Sequence, residues 1–425
     1  MNRGLPACVY EDMTPSRLAA LGGLTLALAA CGQNTSDHGD AVAPKAPGVV
    51  TLLSGSVRQV ALGKLSAGGL AEAQRSFGAD LLRAVCKEEG SGNVTVSPAS
   101  AALALGQLDA GARGDTRAAI DEMLHLPRWS DEVVAAYQAQ RVELAKLTQL
   151  QVSNHVYSAY GNPPQAATLD DLATGFDSKL AQLDFTKPAA TDAINADVKR
   201  DTKGLIPKLF DEPLDADTVT VLTNALHLKA DWVNPFDTTT ATPFTTDAGK
   251  TVTAQMMSAR ELAAPYRSAD GWESAELPYA GNQLTAYAIL PPKGSTCHDV
   301  SGATLTALTT GSSAGVTSLE MPTVDLAQTH QLLPPLKKLG LLAGGDYSGL
   351  GPQAESVSTV VQKVVLKVDE KGTEAAAATG GGVIATSAFS PAHALVLDRP
   401  YLLVIQDTET GAPLFLSRVS DPTKG

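Results

Sequence analysis

The sequence shows few of the residue patterns that form metal, redox and nucleic-acid-binding sites. Its four cysteines (Cys8, Cys31, Cys86 and Cys297) stand far apart without a C-x-x-C pair, and its seven histidines show no H-E-x-x-H or comparable ligand spacing. These patterns predict neither a metal site nor a bound cofactor. Asp and Glu (45) outnumber Lys and Arg (32), giving a net charge of −13, and no basic cluster is interleaved with aromatic residues. The sequence therefore argues against nucleic acid as a partner.

The N-terminal apolar run is too short to span a bilayer as a helix, which needs about 20 residues. It covers residues 18–30 (LAALGGLTLALAA), follows Arg17 and ends in small residues before Cys31. This pattern is typical of a cleaved signal peptide and predicts one over residues 1–31. Met13 lies closer than Met1 to the expected start of such a signal, so residues 1–12 read as an extension of it.

Residues Leu28 to Cys31 (LAAC) resemble a bacterial lipobox, in which the cysteine becomes the lipidated first residue of the mature protein. The resemblance implies a bacterial lipoprotein anchored through Cys31, and Gly32 resembles an outer-membrane rather than an inner-membrane address. The alternative is an ordinary secretory signal, which would give an extracellular or periplasmic protein. Both interpretations predict export, with membrane contact only through a lipid anchor. We expect the polar segment that follows to form a flexible tether over residues 32–69.

Beyond the tether the composition is uniform up to Gly425, without repeats or a second linker, and 44% of the whole chain is hydrophobic. We therefore expect one domain over residues 70–425 with a large core. Helical spacing predicts helices over Phe77–Lys87 and Thr116–Leu126, and Ser97-Pro98 is typical of a capped helix start. Short apolar or alternating runs predict strands over residues 218–233, 252–257, 284–291, 357–370 and 396–406. The predicted class is α+β with large antiparallel sheets.

The strand that ends at Glu370 is followed by a stretch of small residues, 371–382 (KGTEAAAATGGG). With three glycines, this stretch is neither a good turn nor a comfortable helix, and its composition alone would make it a linker. The order of its residues is more informative. Asp369 to Thr379 (DEKGTEAAAAT) resembles the hinge of the serpin reactive-centre loop, at the distance from the C-terminus expected for that family.

Further motifs carry the same resemblance, in order, along residues 76–422. They are Asn93–Ser100 (NVTVSPAS), Ala110–Thr116 (AGARGDT), Thr223–Phe236 (TNALHLKADWVNPF), Met256-Met257, Glu276–Tyr279 (ELPY), Leu290-Pro291, Asp346–Gly349 (DYSG), Asp398–Tyr401 (DRPY) and Leu414–Val419 (LFLSRV). The resemblance implies the serpin fold, in which helices pack on large, mostly antiparallel β-sheets and the reactive-centre loop is exposed near the C-terminus.

For function, the resemblance implies a monomeric suicide-substrate inhibitor rather than an enzyme. A serine-type protease cleaves the loop, the severed N-terminal part inserts into the central sheet as a new strand, and the acylated protease stays covalently attached. The hinge positions are Glu370, Gly372, Thr373, Glu374, Ala375, Ala376, Ala377, Ala378 and Thr379. Alternate residues from Thr373 to Val383 are small or uncharged, as burial in a sheet requires. This favours an inhibitor over a non-inhibitory member of the family.

The family's spacing from the hinge glutamate predicts the scissile bond between Thr386 and Ser387. Small residues there suit elastase- or subtilisin-like proteases, and the lack of Lys or Arg between Lys371 and Arg399 argues against trypsin-like ones. A count back from Asp398 instead predicts the bond between Phe389 and Ser390, which would suit a chymotrypsin-like protease.

The resemblance also implies a set of residues that control the opening of the central sheet: Ser97, Ser100, Asn224, Trp232 and Gln362. Gln362 stands where the family usually has a histidine. Its amide can hydrogen-bond near Ser97, Ser100 and Asn224, but it cannot titrate. We therefore expect the sheet to open without a pH-sensitive group at this position.

Three other interpretations of the sequence stay open. Gly311–Gly315 (GSSAG) matches the G-x-S-x-G nucleophile elbow and would make Ser313 the nucleophile of a lipid-anchored hydrolase, although no apolar strand precedes it. The adjacent residues Cys297, His298 and Asp299 have the side chains of a catalytic triad, but residues next to each other in sequence do not converge on one point as triad members do. A non-inhibitory carrier or chaperone on the serpin fold is the third. Separately, if Cys31 is lipidated, Cys86 and Cys297 remain as a pair in an oxidising compartment, and we hypothesise a disulfide between them.

Overall fold

A computed structural model of the chain describes residues 50–90, 92–259, 264–373 and 393–424. The predicted signal peptide (residues 1–31) with Cys31, and residues 32–49 of the predicted tether, lie outside the described residues. So do the predicted hinge residues Glu374 to Thr379 and both candidate reactive bonds, Thr386-Ser387 and Phe389-Ser390. The predictions at these positions stay predictions.

The helices of the described chain are concentrated in its N-terminal part. They are α1 (Ala67–Glu89), α2 (Pro98–Gly111), α3 (Gly114–Met123), α4 (Asp131–Leu144), α5 (Ala166–Phe176), α6 (Ala189–Asp201), α7 (Gly302–Thr309) and α8 (Leu333–Lys338). The two predicted helices are confirmed as parts of α1 and α3. Pro98 opens α2 as predicted, but the Ser97 hydroxyl makes no capping hydrogen bond, which corrects that detail. Within the described ranges, none of these helices combines the length and apolar character needed to cross a membrane.

Eight strands form a sheet that we call the central sheet. Its order is β1-β4-β3-β5-β14-β15-β6, with β13 paired to the other side of β14. The bounds are β1 (Val50–Leu53), β3 (Leu150–Ala159), β4 (Leu180–Leu183), β5 (Thr220–Leu228), β6 (Ala230–Asp231), β13 (Val324–Gln331), β14 (Thr359–Val368) and β15 (Gly372–Thr373). All nine residues of β5 are buried, because helices α2 and α6 cover opposite faces of the sheet around it.

The other ten strands form a second sheet in the order β2-β18-β17-β11-β10-β9-β12-β8-β7, with β16 paired to β12. They are β2 (Val94–Val96), β7 (Thr238–Thr245), β8 (Thr251–Ser258), β9 (Ala264–Ala269), β10 (Trp272–Pro278), β11 (Leu284–Leu290), β12 (Gly315–Pro322), β16 (His393–Val396), β17 (Tyr401–Asp407) and β18 (Pro413–Val419). Four of the five predicted strands are therefore confirmed, whereas the one predicted over residues 396–406 is interrupted at residues 397–400, between β16 and β17. The α+β class with large, mostly antiparallel sheets is confirmed. The main core lies between helix α1 and the two sheets, with Phe77, Leu81 and Leu416 among its buried members.

The predicted tether over residues 32–69 is wrong for its second half. Residues Val50–Leu53 pair with β4 as an edge strand, and α1 already begins at Ala67. Between them, the Arg58 guanidinium forms ion pairs with Asp131, at 2.6 Å, and with Asp171. Only residues 32–47 have the polar composition on which the tether prediction rested, and residues 50–69 bind to the body of the molecule instead. The domain thus extends N-terminally to at least residue 50.

Candidate functional site

The central sheet contains a boundary, which we call the seam, between strands β5 and β14. The two strands are parallel and pair directly, from Thr359 opposite Val221 to Val365 opposite His227. Past this stretch they separate, and the two-residue strand β15 lies between β14 and β6, with Thr373 opposite both Val368 and Ala230. The sheet is therefore closed along most of the seam and already holds two inserted residues at one end.

The chain reaches this gap through a tight turn after β14. Backbone hydrogen bonds join Asp369 and Gly372 in both directions, at 2.9 Å from the Asp369 nitrogen and 3.3 Å from the Gly372 nitrogen. The Asp369 carboxylate accepts a further bond from the Lys371 N–H at 2.9 Å. A Cβ added at Gly372 would lie 2.1 Å from the carbonyl oxygen of Ala230, so this close approach of two backbones requires glycine.

The side chain of Thr373 is completely buried in what we call the hinge pocket, formed by Thr373, Trp232 and Tyr279. The Tyr279 hydroxyl and the Thr373 hydroxyl are hydrogen-bonded at 2.7 Å. Burial raises the pKa of Tyr279, so this residue is present as the neutral phenol. The Trp232 ring stacks on Tyr279 at a centroid distance of 4.2 Å, and its Nε1 donates to the Asp369 carbonyl at 3.1 Å. The pocket fits a small side chain that carries one hydroxyl.

The backbone of the hinge is also bonded on its outer side. The Glu370 carbonyl accepts from the Phe236 N–H at 2.8 Å, and the Lys371 carbonyl accepts from the Trp232 N–H at 2.7 Å. The Glu370 carboxylate accepts from the Thr239 hydroxyl. The structure thus brings three of the predicted hinge residues, Glu370, Gly372 and Thr373, together with Trp232, and the start of the hinge is docked in the sheet.

The middle of the seam carries a line of polar side chains that we call the polar row. It consists of Asn154 on β3, Asn224 on β5, Gln362 on β14 and His330 on β13, each directly opposite the next across the sheet. A polar line in the interior of a sheet is costly unless its members are hydrogen-bonded. Each of these residues has a hydrogen-bond partner.

Gln362 joins the two strands of the seam to the start of helix α2. Its Oε1 accepts from the Ser97 N–H at 2.9 Å, while its Nε2 donates to the Ser97 carbonyl at 3.1 Å and to Asn224 Oδ1. The Asn224 amide donates to Ser100 and to Asn154, and the Ser100 hydroxyl donates to Asn154 at 2.9 Å. Ser97, Ser100, Asn224 and Gln362 are all buried. The structure therefore brings these four predicted residues into one network, whereas Trp232 belongs to the hinge pocket.

Three residues of the site were missed in the sequence: Asn154, His330 and Tyr279. Tyr279 stands in the ELPY motif, which marked the family but indicated no role. Asn154 and His330 come from strands whose pairing register no sequence pattern specified. His330 is buried, and its ring Nε2 is hydrogen-bonded to the Thr95 carbonyl at 2.9 Å.

The rival motifs do not form catalytic arrangements. Ser313 is exposed in the turn between helix α7 and β12, so the residues before it are helical and not the strand that a nucleophile elbow needs. In the Cys297–Asp299 3-10 turn, the Asp299 carboxylate accepts from the Thr296 N–H at 2.7 Å and serves as part of a capping box. Its partner is therefore the backbone, and the three adjacent residues form no triad.

The hypothesised disulfide is not present, because Cys86 and Cys297 are both free thiols in the structure. They are nevertheless neighbours, because helix α1 and the 3-10 turn pack against each other and bury both thiols. The part of the chain that the structure describes contains no group of three or more His, Cys, Asp or Glu side chains arranged to hold a metal ion.

Comparison with known proteins gives a consistent result. The family model described as "Serpin (serine protease inhibitor)" matches residues 72–422. An alpha-1-antitrypsin-like protein of Tamias sibiricus is 32% identical over 82% of this chain and 87% of its own length. The leukocyte elastase inhibitor of Bos taurus is 29% identical over 83% of this chain and 99% of its own length. The crystal structure of human thyroxine-binding globulin superposes with a TM-score of 0.70, at 27% identity, over 84% of this chain and all of that one.

Proposed function

Because the chain belongs to the serpin family, we propose that it inhibits serine-type proteases by offering its reactive-centre loop as a substrate and inserting the cleaved loop into the seam. The observation that carries this proposal is the position of Thr373, which is buried between β14 and β6 as the last residue of β15, a short strand that the sheet can extend. Insertion then means continuing β15 along the boundary where β5 and β14 now touch.

The residues after Thr373 support this continuation. With the period of two of a strand, Ala375, Ala377, Thr379, Gly381 and Val383 would face the same side as Thr373. None is charged, so their burial leaves no unpaired charge in the sheet. About a dozen inserted residues would each add backbone hydrogen bonds worth roughly 0.5–1.5 kcal/mol net. The separation of β5 from β14 costs less, because each strand regains a partner.

We propose Thr386-Ser387 as the reactive bond and an elastase- or subtilisin-like protease as the target. Small side chains at this bond fit a shallow primary specificity pocket. One relative bears the name leukocyte elastase inhibitor, which agrees in kind with this proposal. The alternative bond, Phe389-Ser390, would point to a chymotrypsin-like protease.

The experiment is to mix the protein with pancreatic elastase, subtilisin and chymotrypsin and to separate the products in denaturing detergent after boiling. The proposal predicts a detergent-stable adduct of the chain and elastase or subtilisin, together with a released C-terminal fragment that mass spectrometry shows to begin at Ser387. A fragment beginning at Ser390 would move the reactive bond to Phe389. Cleavage of the loop without an adduct to any of the three proteases would contradict the inhibitory mechanism.

The competing function on this fold is that of a non-inhibitory carrier. The likeness to thyroxine-binding globulin, whose solved structures include its complex with thyroxine, is the observation in its favour. A carrier needs no insertable loop, whereas this chain keeps small residues at the alternate positions of its hinge. A lipid-anchored serine hydrolase is disfavoured by the position of Ser313, and would show ester turnover that is lost in Ser313→Ala.

We also propose that the protein is exported by the segment 18–30 and works as a monomer, in a bacterial cell where Cys31 carries the lipid. Metabolic labelling with a radioactive fatty acid tests the anchor. Label that disappears in Cys31→Ala but not in Cys8→Ala would support it. Release of unlabelled protein into the medium would instead support the ordinary secretory signal.

A further inference from the structure

A cavity of about 610 Å³ lies where five segments of the chain meet. Its walls come from the end of helix α1, the end of β7 with the residues that follow it, the residues leading into the Cys297–Asp299 turn, the Arg399-Pro400 pair before β17, and the end of β18. Cys86 and Cys297 both line it, so the two thiols open onto the same space. The inhibitory mechanism uses none of these groups.

The lining of this cavity is positively charged. Lys87, Arg399 and Arg418 line it, against the carboxylate of Asp247, and Arg399 also lies 3.3 Å from the carboxylate of Asp398, which is not part of the lining. The Arg418 guanidinium already binds the Asp247 carboxylate through two hydrogen bonds of 2.5 and 2.6 Å, so that carboxylate is neutralised. The buried Arg399 Nε has no hydrogen-bond partner among the described residues. The cavity therefore favours an anionic ligand.

The two thiols are chemically unequal. A hydrogen bond from Cys86 to Cys297 lowers the pKa of the Cys297 thiol to about 7, and the positive charge of Arg418 acts in the same direction. The same hydrogen bond, together with burial, raises the pKa of Cys86. Cys297 is therefore the nucleophilic thiol near neutral pH. Cys86 is the resolving thiol, which attacks a mixed disulfide formed on Cys297.

We propose that Cys297 and Cys86 form a dithiol site that undergoes thiol–disulfide exchange with small anionic disulfides bound in this cavity. The Cys297 thiolate attacks one sulfur of the disulfide RSSR, which forms a mixed disulfide on Cys297 and releases RS⁻. Cys86 then loses its proton to solvent or to that thiolate and attacks the Cys297 sulfur. The products are a Cys86–Cys297 disulfide and a second RS⁻, so two protein thiols are oxidised while one disulfide is reduced to two thiols.

The experiment uses the full chain with Cys8→Ser and Cys31→Ser in every sample, so that only this pair can react. The probe is dithiobis(nitrobenzoate), an anionic disulfide whose released thiolate is coloured. The native protein is expected to release two coloured thiolates per chain and to retain no probe by mass. Cys86→Ser should release one and retain one probe group, because nothing resolves the mixed disulfide. Cys297→Ser should react at least about tenfold more slowly, because the remaining thiol, Cys86, is buried, and burial disfavours its thiolate.

The charge of the cavity is tested with Lys87→Ala. This variant should react several-fold more slowly with dithiobis(nitrobenzoate) and at an unchanged rate with dithiodipyridine, which is uncharged; equal slowing with both would contradict the role of the cationic lining. Retention of two probe groups by the native protein would show that the thiols react separately and would overturn the dithiol site. A native protein whose thiols react only after denaturant is added would also overturn the dithiol site. This measurement does not depend on whether the variants fold.

Discussion

The hinge pocket and the polar row lie along the same seam but hold it in different ways. In the hinge pocket the strands are already apart, and Thr373 fills the gap with one side-chain hydrogen bond to Tyr279 and stacked aromatic rings behind it. In the polar row the strands touch, and Gln362 makes one hydrogen bond across the seam to Asn224 and two to Ser97 at the start of helix α2. The difference indicates an order of events: an inserting loop extends from the occupied end and must break the polar row before it can pass.

The largest expected effect is that of Thr373→Arg in the hinge pocket. An arginine cannot enter a fully buried site beside Tyr279 and Trp232 without leaving a charge unpaired, which costs several kcal/mol. Since each 1.4 kcal/mol slows a step about tenfold, the acyl-enzyme should hydrolyse before insertion, and the protein should become a substrate. Titration of protease activity measures this as a stoichiometry far above one inhibitor per protease.

The matched control for this prediction is Glu374→Arg, whose side chain faces outward in the inserted strand by the period of two. It should keep the original stoichiometry and a normal yield of the detergent-stable adduct. A Thr373→Arg protein that traps its protease as well as the control does would contradict the insertion mechanism for this chain.

The next effect is that of Gln362→Leu in the polar row. The change leaves the Ser97 N–H, the Ser97 carbonyl and the Asn224 side-chain oxygen without this partner in a buried site. Unpaired buried groups cost about 1–3 kcal/mol each, so we expect the free energy of unfolding to fall by roughly 3 kcal/mol or more. Chemical denaturation measures it, with the exposed Gln331→Leu on the adjacent strand as control. Equal stability of the two variants would show that the polar row does not hold the seam.

For Tyr279→Phe we expect a smaller decrease in the free energy of unfolding, of about 1 kcal/mol. The ring stays, but the Thr373 hydroxyl loses its partner, so the docked hinge should leave the pocket more often. We expect faster limited proteolysis of the loop and a modest loss of overall stability. Tyr266→Phe, which removes a hydroxyl bonded to Glu273 away from the hinge pocket, is the control. If both variants are cut at the same rate, Tyr279 does not retain the hinge.

The smallest expected effect on stability concerns helix α2. Its first turn contains Ser100, a hydrogen-bond partner of the polar row, and its last turn contains Asp109. Burial raises the pKa of Asp109 well above its usual value, and the neighbouring carboxyl of Asp121 adds to this. A raised pKa means that the folded protein binds the proton more tightly than the unfolded one, so this contribution to stability is complete in acid and is lost as pH rises through the folded-state pKa. Asp109→Asn should flatten that part of the stability profile between acidic and neutral pH. An unchanged profile would exclude Asp109 as its cause.

Features that depend on neighbouring residues in the sequence were predicted, whereas features that depend on distant residues were not. The hinge motif and the strand before it were predicted, because Gly372 and the small residues that follow lie side by side in the sequence, whereas the tight turn between Asp369 and Gly372 was not. The polar row was predicted only for the positions that motifs mark, Asn224 and Gln362, together with their partners Ser97 and Ser100. The partnership of Tyr279 with Thr373 joins residues 94 positions apart, and no local pattern encodes it.

The same limit explains the error at the N-terminus. The apolar run at Val50–Leu53 (VTLL) is only four residues long, and its pairing with the edge of β4 is what makes it a strand. Likewise, Asn154 and His330 align with Gln362 through the register of four strands, which is a property of the assembled sheet. Tertiary pairing, rather than composition, decided these features.

The central claim is that the cleaved loop becomes a strand between β5 and β14, and thermal unfolding of loop-cleaved protein tests it most directly. A protease that cuts between residues 386 and 392 prepares the sample, because such a cut leaves at least about a dozen residues after Thr373 free to insert. If about a dozen residues join the sheet, they add roughly 10 kcal/mol, and the melting temperature should rise by about 20 °C over that of the intact protein. A cleaved protein that melts at the same temperature as the intact one, or lower, would show that the loop does not insert and would contradict the account.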